Sequence, residues 1–281
     1  MLYIVVPTFN RIKIFNDFIN QLRDQTCQDY QLIVVDHGKE KTNYSADKTI
    51  VIESDVNGWS YAINVGIRYV LNLDKLNDSD HIMVINDDVL MKDDFIVNVI
   101  ETIREKPNSC IGSVCYDWND PKTIHVNMLL NKTKADFIYY NKGLNLDDLH
   151  DDYYQSDVLK GRGTVWPVHV LRKIGIYNEK KLPHYRADHE LAWRAKKNGY
   201  EVIVAKRMQL GAILDSPHQI DKSKGFWENY KNIFHHMIST KNSKDLWNYS
   251  FELFNCMYGF YYWGVNWLRY HLFFIYLYFI K

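Results

Sequence analysis

The sequence predicts an α/β protein with a mostly parallel sheet flanked by helices, followed by a helical, aromatic-rich extension. Short apolar runs of strand length alternate with segments in which apolar residues recur at helical spacing. The runs lack a polar alternate face, which is typical of parallel strands covered by helices on both sides. Beyond residue 246 the chain is dense in Trp, Tyr and Phe and has few charges. A wound sheet with an appended helical segment accounts for all three observations.

The composition of the chain argues against several classes of protein. A chain of 281 residues with 47% hydrophobic content can bury a sizeable core. Lys plus Arg and Asp plus Glu balance at 34 each, so no nucleic-acid footprint is expected. The four cysteines have no CxxC spacing, which argues against a structural zinc site and a disulfide framework. The chain enters a strand-like run directly after Met1, so we expect no signal peptide and a reducing, cytoplasmic location.

Three strand-like runs open the chain, and each is followed by a polar turn. Residues 2–6 lead into Pro7-Thr8-Phe9-Asn10-Arg11 and a helical pattern over 12–22. Residues 31–35 end in Asp36-His37-Gly38. Residues 49–53 precede a turn with Asn57-Gly58 and a helix over 60–71. Because parallel strands present their carboxyl ends at one edge, these turns should meet in one crevice.

A fourth strand, Ile82 to Ile85, ends in Asn86-Asp87-Asp88. Adjacent carboxylates repel each other, and a shared divalent cation would relieve that repulsion. The alternative is that Asp88 or Asp93 caps the helix expected near residue 92. No GxGxxG or GxxxxGK[ST] follows any strand, so neither a dinucleotide fingerprint nor a P-loop is present. A nucleotide could still bind if a metal neutralised its phosphates.

Taken together and in this order, the four motifs resemble the amino-terminal half of family 2 glycosyltransferases with the GT-A fold. The resemblance extends over about residues 2–220, and Asn86 departs from it because relatives usually have an acid there. It implies a nucleotide-sugar donor carrying UDP, GDP or dTDP, and a Mn²⁺ or Mg²⁺ cofactor. Asp88 would bind the metal, and Asp87 the ribose or the metal. The remaining donor contacts would be Thr8, Asn10, Arg11, Asp36 and Asn57, with Thr8 and Asp36 facing the base.

The segment from Leu182 to Tyr200 contains the second acidic site. Asp188 and Glu190 open a helix that ends before Gly199, so an N-cap and a favourable first-turn charge would explain them. The segment also resembles the family's base motif, which implies that Asp188 is the catalytic base and Glu190 the second acid. Transfer to a hydroxyl needs such a general base, and a divalent cation can stabilise a diphosphate leaving group.

Further contacts follow from the same resemblance. A histidine at this distance past the base helix completes the metal shell in relatives, which makes His218 a candidate ligand beside Asp88. Contacts to donor or acceptor are expected from Trp166, His184, Tyr185 and Glu190, with ordinary packing as the alternative. The polar segment 132–155 is interpreted as a long loop, either an acceptor-side flap or a solvated charged loop.

The predicted domains are a catalytic domain over 1–225 and an aromatic extension over 226–281. The extension is interrupted by polar residues, so we expect it to lie on a membrane surface or to form a homo-oligomer contact. The predicted function is metal-dependent, inverting transfer of a sugar to a hydroxyl of a glycan, polysaccharide or lipid-linked acceptor. The alternatives are a catalytically silent sugar-nucleotide or glycan-binding protein and a sugar nucleotidyltransferase.

Overall fold

The computed structural model describes residues 1–120, 124–141, 143–212 and 220–280. The strands are β1 Leu2–Thr8, β2 Gln31–Asp36, β3 Thr49–Glu53, β4 His81–Val84, β5 Val89–Met91, β6 Cys110–Asp117, β7 Ile124–His125, β8 Met128–Asn131, β9 Asp136–Tyr139, β10 Tyr153–Gln155, β11 Thr164–Pro167 and β12 Val202–Ala212. The helices are α1 Ile12–Arg23, α2 Trp59–Leu71, α3 Phe95–Glu105, α4 Val168–Ile174, α5 Ala187–Lys197, α6 Phe226–Phe234, α7 Ser243–Leu253 and α8 Cys256–Phe279.

One ten-stranded sheet has the order β10-β12-β6-β11-β4-β1-β2-β3, with β5 on β12 and β7 on β6. β3, β2, β1 and β4 are parallel neighbours, as the alternating pattern predicts, and β12 is parallel to β6. β11 lies between β4 and β6 and is antiparallel to both. This reversed strand joins the two parallel parts of the sheet.

Both faces of the sheet are covered, which explains why its strands are continuous apolar runs. Side chains alternate along β1, so Tyr3 and Val5 belong to one core, with α2, α4, α5 and α7. Ile4 and Val6 belong to the other, with α1 and α3. The turns that follow the carboxyl ends of the strands lie at the edge of this three-layer arrangement.

Segment 132–155 differs from the long loop expected. β8 and β9 form a hairpin, a 3-10 turn spans Leu146–Asp148, and β10 pairs with β12. The hairpin is stabilised by contacts distant in sequence, because Ala135 and Phe137 join the core shared with α5 and α7. Periodicity over a four-residue strand is too short to reveal such an element.

The carboxyl-terminal helices pack on the sheet domain. Leu246, Tyr249 and Tyr262 belong to the same core as α5. Asn266 in α8 donates to the carbonyl of Ala135 at 2.7 Å, and Arg269 donates to that of Lys134 at 2.7 Å, so α8 fixes the hairpin turn. None of the helices within the described ranges combines the length and hydropathy of a membrane span.

Gly66 allows α2 to approach the sheet closely. A Cβ on this residue would lie 2.5 Å from Cγ1 of Val5 and 3.1 Å from Cγ2 of Val35. We expect Gly66→Ala to lower the free energy of unfolding by about 1–3 kcal/mol, because the added methyl overpacks this contact. Chemical denaturation would measure the change.

The matched control is Gly264→Ala in α8, where a Cβ meets nothing within 4 Å. Alanine has the higher helix propensity, so this variant should be unchanged or more stable by up to about 1 kcal/mol. Equal effects of the two substitutions would contradict the close approach of α2.

Candidate active site

The reversed strand β11 builds one side of the crevice. Its register pairs Thr164 with Val84 and Pro167 with His81, so its amino end lies at the carboxyl end of β4. Residues 160–163, just before β11, therefore lie beside residues 86–88, just after β4. Two loops far apart in sequence meet at the edge where open α/β sheets bind ligands.

The first two turns are joined by Asn10. Its backbone has φ 51°, and its Oδ1 accepts hydrogen bonds from the amides of Lys39 at 2.6 Å and Glu40 at 3.1 Å. Gly38 is required beside it, because a Cβ there would lie 2.6 Å from the Asn10 nitrogen. Asn10 and Gly38 are thus both explained by the close approach of these two turns.

Thr8 and Asp36 lie side by side on β1 and β2, and both are buried. The Asp36 carboxylate accepts the amides of Gly38 at 3.2 Å and Thr42 at 2.7 Å. The structure therefore brings both predicted base contacts to the crevice floor. Asp36 holds the loop that follows β2, so any contact to a nucleotide base would come from an oriented carboxylate.

The acid pair is bridged by Arg11. Its guanidinium lies 2.5 Å from Oδ1 of Asp87 and 3.2 Å from Oδ2 of Asp88. Asp87 is buried, and neither of its oxygens has a hydrogen-bond partner of good geometry. The Asp88 side chain is 39% exposed. Burial, the largest cause, raises the pKa of Asp87 to about 6, while Arg11 and Thr8 lower it and Asp88 raises it further.

This arrangement fits a divalent cation. Mg²⁺ and Mn²⁺ prefer oxygen ligands, and sites that also bind substrate phosphates commonly use only one or two carboxylates. Asp87 and Asp88 supply such ligands at one strand end, and the buried Oδ2 of Asp87, which has no hydrogen-bond partner, is the observation that favours a cation. Within the described ranges no three His, Cys, Asp or Glu side chains converge, and His218 lies outside them.

Asp188 reaches the crevice from the first turn of α5. Its Oδ2 accepts the amide of Gly161 at 2.9 Å, and its Oδ1 accepts the amide of His189 at 2.9 Å. The N-cap position belongs to Arg186, with φ 70°, so Asp188 is not the cap that the simpler interpretation expects. The carboxylate is oriented by the loop that precedes β11.

The segment leading to α5 is held by α2. Asn64 donates to the carbonyl of Tyr177 at 2.8 Å and to Glu179 at 2.6 Å, and its own Oδ1 accepts the amide of Tyr177 at 3.2 Å. Ser60 donates its hydroxyl to the carbonyl of Leu182 at 2.7 Å. Asn64 lies within α2, and only the fold shows that it positions the segment before α5.

Trp59 connects the loop of the acid pair to the loop that holds Asp188. Its indole N–H donates to Oδ1 of Asn86 at 2.8 Å. Its ring lies against Gly161, where a Cβ would come within 2.5 Å. Asn86, which departs from the family pattern, thus has a hydrogen-bonding role. Sequence reasoning missed Trp59, and its place directly after Asn57-Gly58 was the only available signal.

The remaining predicted contacts divide into two groups. Tyr185 and His184 lie at the crevice, where the charge of Asp88 acts on the Tyr185 hydroxyl and Trp59 donates its amide to His184 at 3.4 Å. Asn57 is exposed on the turn before α2. Two others are not brought there: Trp166 is in the core and donates to Tyr177, while buried Glu190 pairs with Arg194 at 2.9 Å.

Residues 3–155, more than half of the chain, match the family described as "Glycosyl transferase family 2". The chain belongs to this family. It is a glycosyltransferase with the GT-A fold, as the four motifs predict. The match covers β1 to β10 and therefore the acid pair, but it ends before Asp188.

A curated relative is similar over most of both chains. It is the GalNAc(5)-diNAcBac-PP-undecaprenol beta-1,3-glucosyltransferase of Campylobacter jejuni, which is 21% identical over 89% of this chain and 87% of that protein.

Solved structures share the fold. GalNAc-T7 with UDP, GalNAc and Mn²⁺ has a TM-score of 0.59 at 11% identity, over 89% of this chain and 50% of that one. S. aureus TarS 1-349 with UDP has 0.57 at 14%, over 96% and 71%. The mannosyltransferase PcManGT of Pyrobaculum calidifontis with GDP-Man and Mn²⁺ has 0.54 at 12%, over 95% and 68%. The chain thus spans half the length of GalNAc-T7.

Because the pKa of Asp87 is raised, we expect Asp87→Asn to increase the free energy of unfolding by an amount that depends on pH. An acid whose pKa rises on folding stabilises the fold below its unfolded pKa, near 4, and loses that stability as pH rises through about 6. The neutral amide removes this loss, so the variant should be more stable than the parent by about 1–3 kcal/mol above pH 6. Thermal unfolding between pH 4 and 8 would measure the difference.

The control is Asp17→Asn on the exposed face of α1. This variant should follow the parent at every pH, because an exposed carboxylate has no burial cost to relieve. An Asp87→Asn variant less stable than the parent at pH 7.5 would show that the Arg11 ion pair outweighs burial.

Proposed function

We propose that this glycosyltransferase moves a sugar from a nucleoside-diphosphate donor to an acceptor hydroxyl in a metal-dependent, inverting single displacement. The observation that carries the proposal is the joint placement, along one sheet edge, of a buried acid pair after β4 and an oriented Asp188 beside residues 160–163. A catalytically silent binding protein would have no need for the second carboxylate.

Asp88 and Asp87 are the residues that would hold the cation. When bound, a divalent cation supplies a Lewis acid that stabilises the charge of the diphosphate leaving group. Thr8, Asn10, Arg11, Asp36 and Asn57 then complete the donor contacts. Arg11 neutralises the acid pair in the free protein, so it has to shift or share the carboxylates when a cation binds.

Asp188 takes the acceptor proton as the hydroxyl attacks the anomeric carbon. Its two amide hydrogen bonds fix the direction of the carboxylate. His189 beside it is partly buried, and burial lowers its pKa although Asp188 raises it, so the imidazole is a weaker base than an exposed histidine. Asn64 and Trp59 are positioning residues, because they act through the loops that carry Asp188 and Asn86.

Substitutions of Asp188 and Asp88 should distinguish an effect on turnover from an effect on nucleotide binding. We expect Asp188→Asn to lower donor turnover by about 10²–10⁴-fold, because the general base is lost, while metal-dependent nucleotide binding is kept. Asp88→Asn should instead lose the metal-dependent part of binding. Release of nucleoside diphosphate measures turnover, and thermal stabilisation by UDP or GDP with Mn²⁺ measures binding.

Asp78→Asn is the control, because Asp78 pairs with Arg172 at the exposed surface. It should leave both measurements unchanged. If Asp188→Asn weakens nucleotide binding as strongly as it lowers turnover, Asp188 contacts the donor and is not the base.

We also propose that the extension over 226–281 holds the enzyme at a lipid surface, where a lipid-linked acceptor would be found. The exposed face of α8 consists of large apolar side chains: Phe260, Tyr261, Trp267, Leu268, Leu272, Phe273, Ile275, Tyr276 and Phe279. The helix is about 36 Å long. Arg269 is its only charged residue, and Trp and Tyr favour the membrane interface. The C. jejuni relative, by its name, acts on an undecaprenol-linked acceptor.

Charges on this face should abolish lipid binding. We expect the parent protein to sediment with vesicles of phosphatidylethanolamine and phosphatidylglycerol, and the double variant Leu268→Glu, Leu272→Glu to stay in the supernatant. Ile14→Glu, an exposed apolar site on α1, is the control and should bind like the parent. Concentration-dependent dimerisation without vesicle binding would show that a second copy covers the face.

A further inference from the structure

Two cations before β11 are not used by the mechanism above. Lys160 and Arg162 are each partly exposed and lie on either side of Gly161, whose amide binds Asp188. Among the described residues, no carboxylate lies within the 4.0 Å of an ion pair from either cation. Cationic side chains that flank a candidate site and have no acidic partner are typical of places that bind an anion.

Lys160 is held in place by neutral and aromatic groups. Its ammonium donates to Nδ1 of His125 at 2.8 Å and lies 4.9 Å from the centre of the Tyr139 ring. The His125 and Tyr139 rings stack at 4.2 Å. Burial lowers the pKa of Lys160 to about 8, so the amine remains mostly protonated at pH 7. The aromatic walls orient this charge without neutralising it.

Arg162 directly follows Gly161, so its backbone lies beside Asp188 and close to the end of β4. Burial raises the pKa of Tyr185, and the charges of Arg162 and Asp88 act on that hydroxyl in opposite directions. Burial likewise raises the pKa of Tyr139, where the charges of Asp188 and Arg162 oppose each other. The charge of Arg162 therefore acts on one hydroxyl that Asp88 also affects and on one that Asp188 also affects.

We propose that Lys160 and Arg162 form a subsite that binds a phosphate or carboxylate group carried by one of the two sugar substrates. The proposal rests on the proposed function, because it takes Asp188 to be where the acceptor hydroxyl reacts and Asp88 to be where the donor diphosphate binds. In a displacement that inverts the anomeric carbon, the diphosphate leaves on the side opposite the attacking hydroxyl. The cations nearest Asp188 are thus placed for a substituent of a sugar and not for the leaving diphosphate.

Inorganic phosphate is the first probe, with thermal stabilisation as the readout and chloride at equal ionic strength as the reference. We expect Arg162→Gln and Lys160→Met each to raise the half-saturating phosphate concentration about tenfold, since each removes a charge-assisted hydrogen bond. Arg172→Gln, a surface arginine paired with Asp78, should match the parent. Arg162→Gln keeps the test decisive if Lys160→Met fails to fold.

Phosphate binding unaffected by both substitutions, or lost only in Arg11→Gln, would overturn the subsite, because the anion would then bind at the donor side. Comparing the binding of UDP-glucuronate with that of UDP-glucose, each with Mn²⁺, shows which substrate carries the anion. If the parent binds UDP-glucuronate more tightly than UDP-glucose and Arg162→Gln abolishes this difference, the anion belongs to the donor sugar. Phosphate binding that persists with UDP-glucose bound places it on the acceptor.

Nucleotide binding tests the proposed function separately. A protein that binds phosphate through Arg162 but no UDP or GDP with Mn²⁺ would keep the anion subsite and refute the donor site at Asp88. A protein that binds these nucleotides but shows no phosphate effect of Arg162→Gln would keep the donor site and refute the subsite.

Discussion

The reversal of β11 is the constraint on which the crevice depends. Had this strand run parallel to β4 and β6, the loop before it would lie at the opposite edge of the sheet, far from the acid pair. Pairing Thr164 with Val84 brings the Gly161 amide, and with it Asp188, to the end of β4. A mostly parallel sheet thus obtains acidic groups from both halves of the chain at one edge, where strand ends and turns leave room for a ligand.

Closely packed small residues then fix the distances between these groups. Gly38 allows the first two turns to touch, and Gly66 allows α2 to lie against β1. Gly161 leaves space for the ring of Trp59. The resulting scaffold is rigid around a carboxylate that is poorly accommodated in the free protein, because Asp87 is buried and incompletely satisfied. Stability given up at such a position is typical of a site organised for a ligand and not for the empty fold.

The carboxyl-terminal helices contribute to the core of the fold, and α8 also has an exposed apolar face. α7 contributes to the core beneath α5, and α8 anchors the hairpin turn whose Phe137 side contacts His189 and Trp193. The helix that carries this apolar outer face thus also contacts, on its inner side, the hairpin and the core shared with α5. Any surface that covers this outer face therefore lies on a helix that contacts α7 and the hairpin, both of which pack against α5.

Local sequence was sufficient for the parallel half of the sheet and for the acidic motifs. Buried strands read as apolar runs, and their carboxyl ends are marked by Asp36 and by Asp87 with Asp88. Backbone amides and Arg11 near the strand ends pair with the two buried carboxylates there. The segment 128–139 was missed as a hairpin, since its strands are four residues long and depend on Phe137 joining a distant core.

The sequence by itself determined the first four strands and their parallel arrangement, the family resemblance and the candidate carboxylates, because these depend on periodicity and on short motifs. The tertiary structure alone decided that β11 is reversed, that Trp59 links Asn86 to Gly161, and that Lys160 and Arg162 have no acidic partner among the described residues. These features depend on contacts between residues far apart in the chain, and a local pattern carries no information about such contacts.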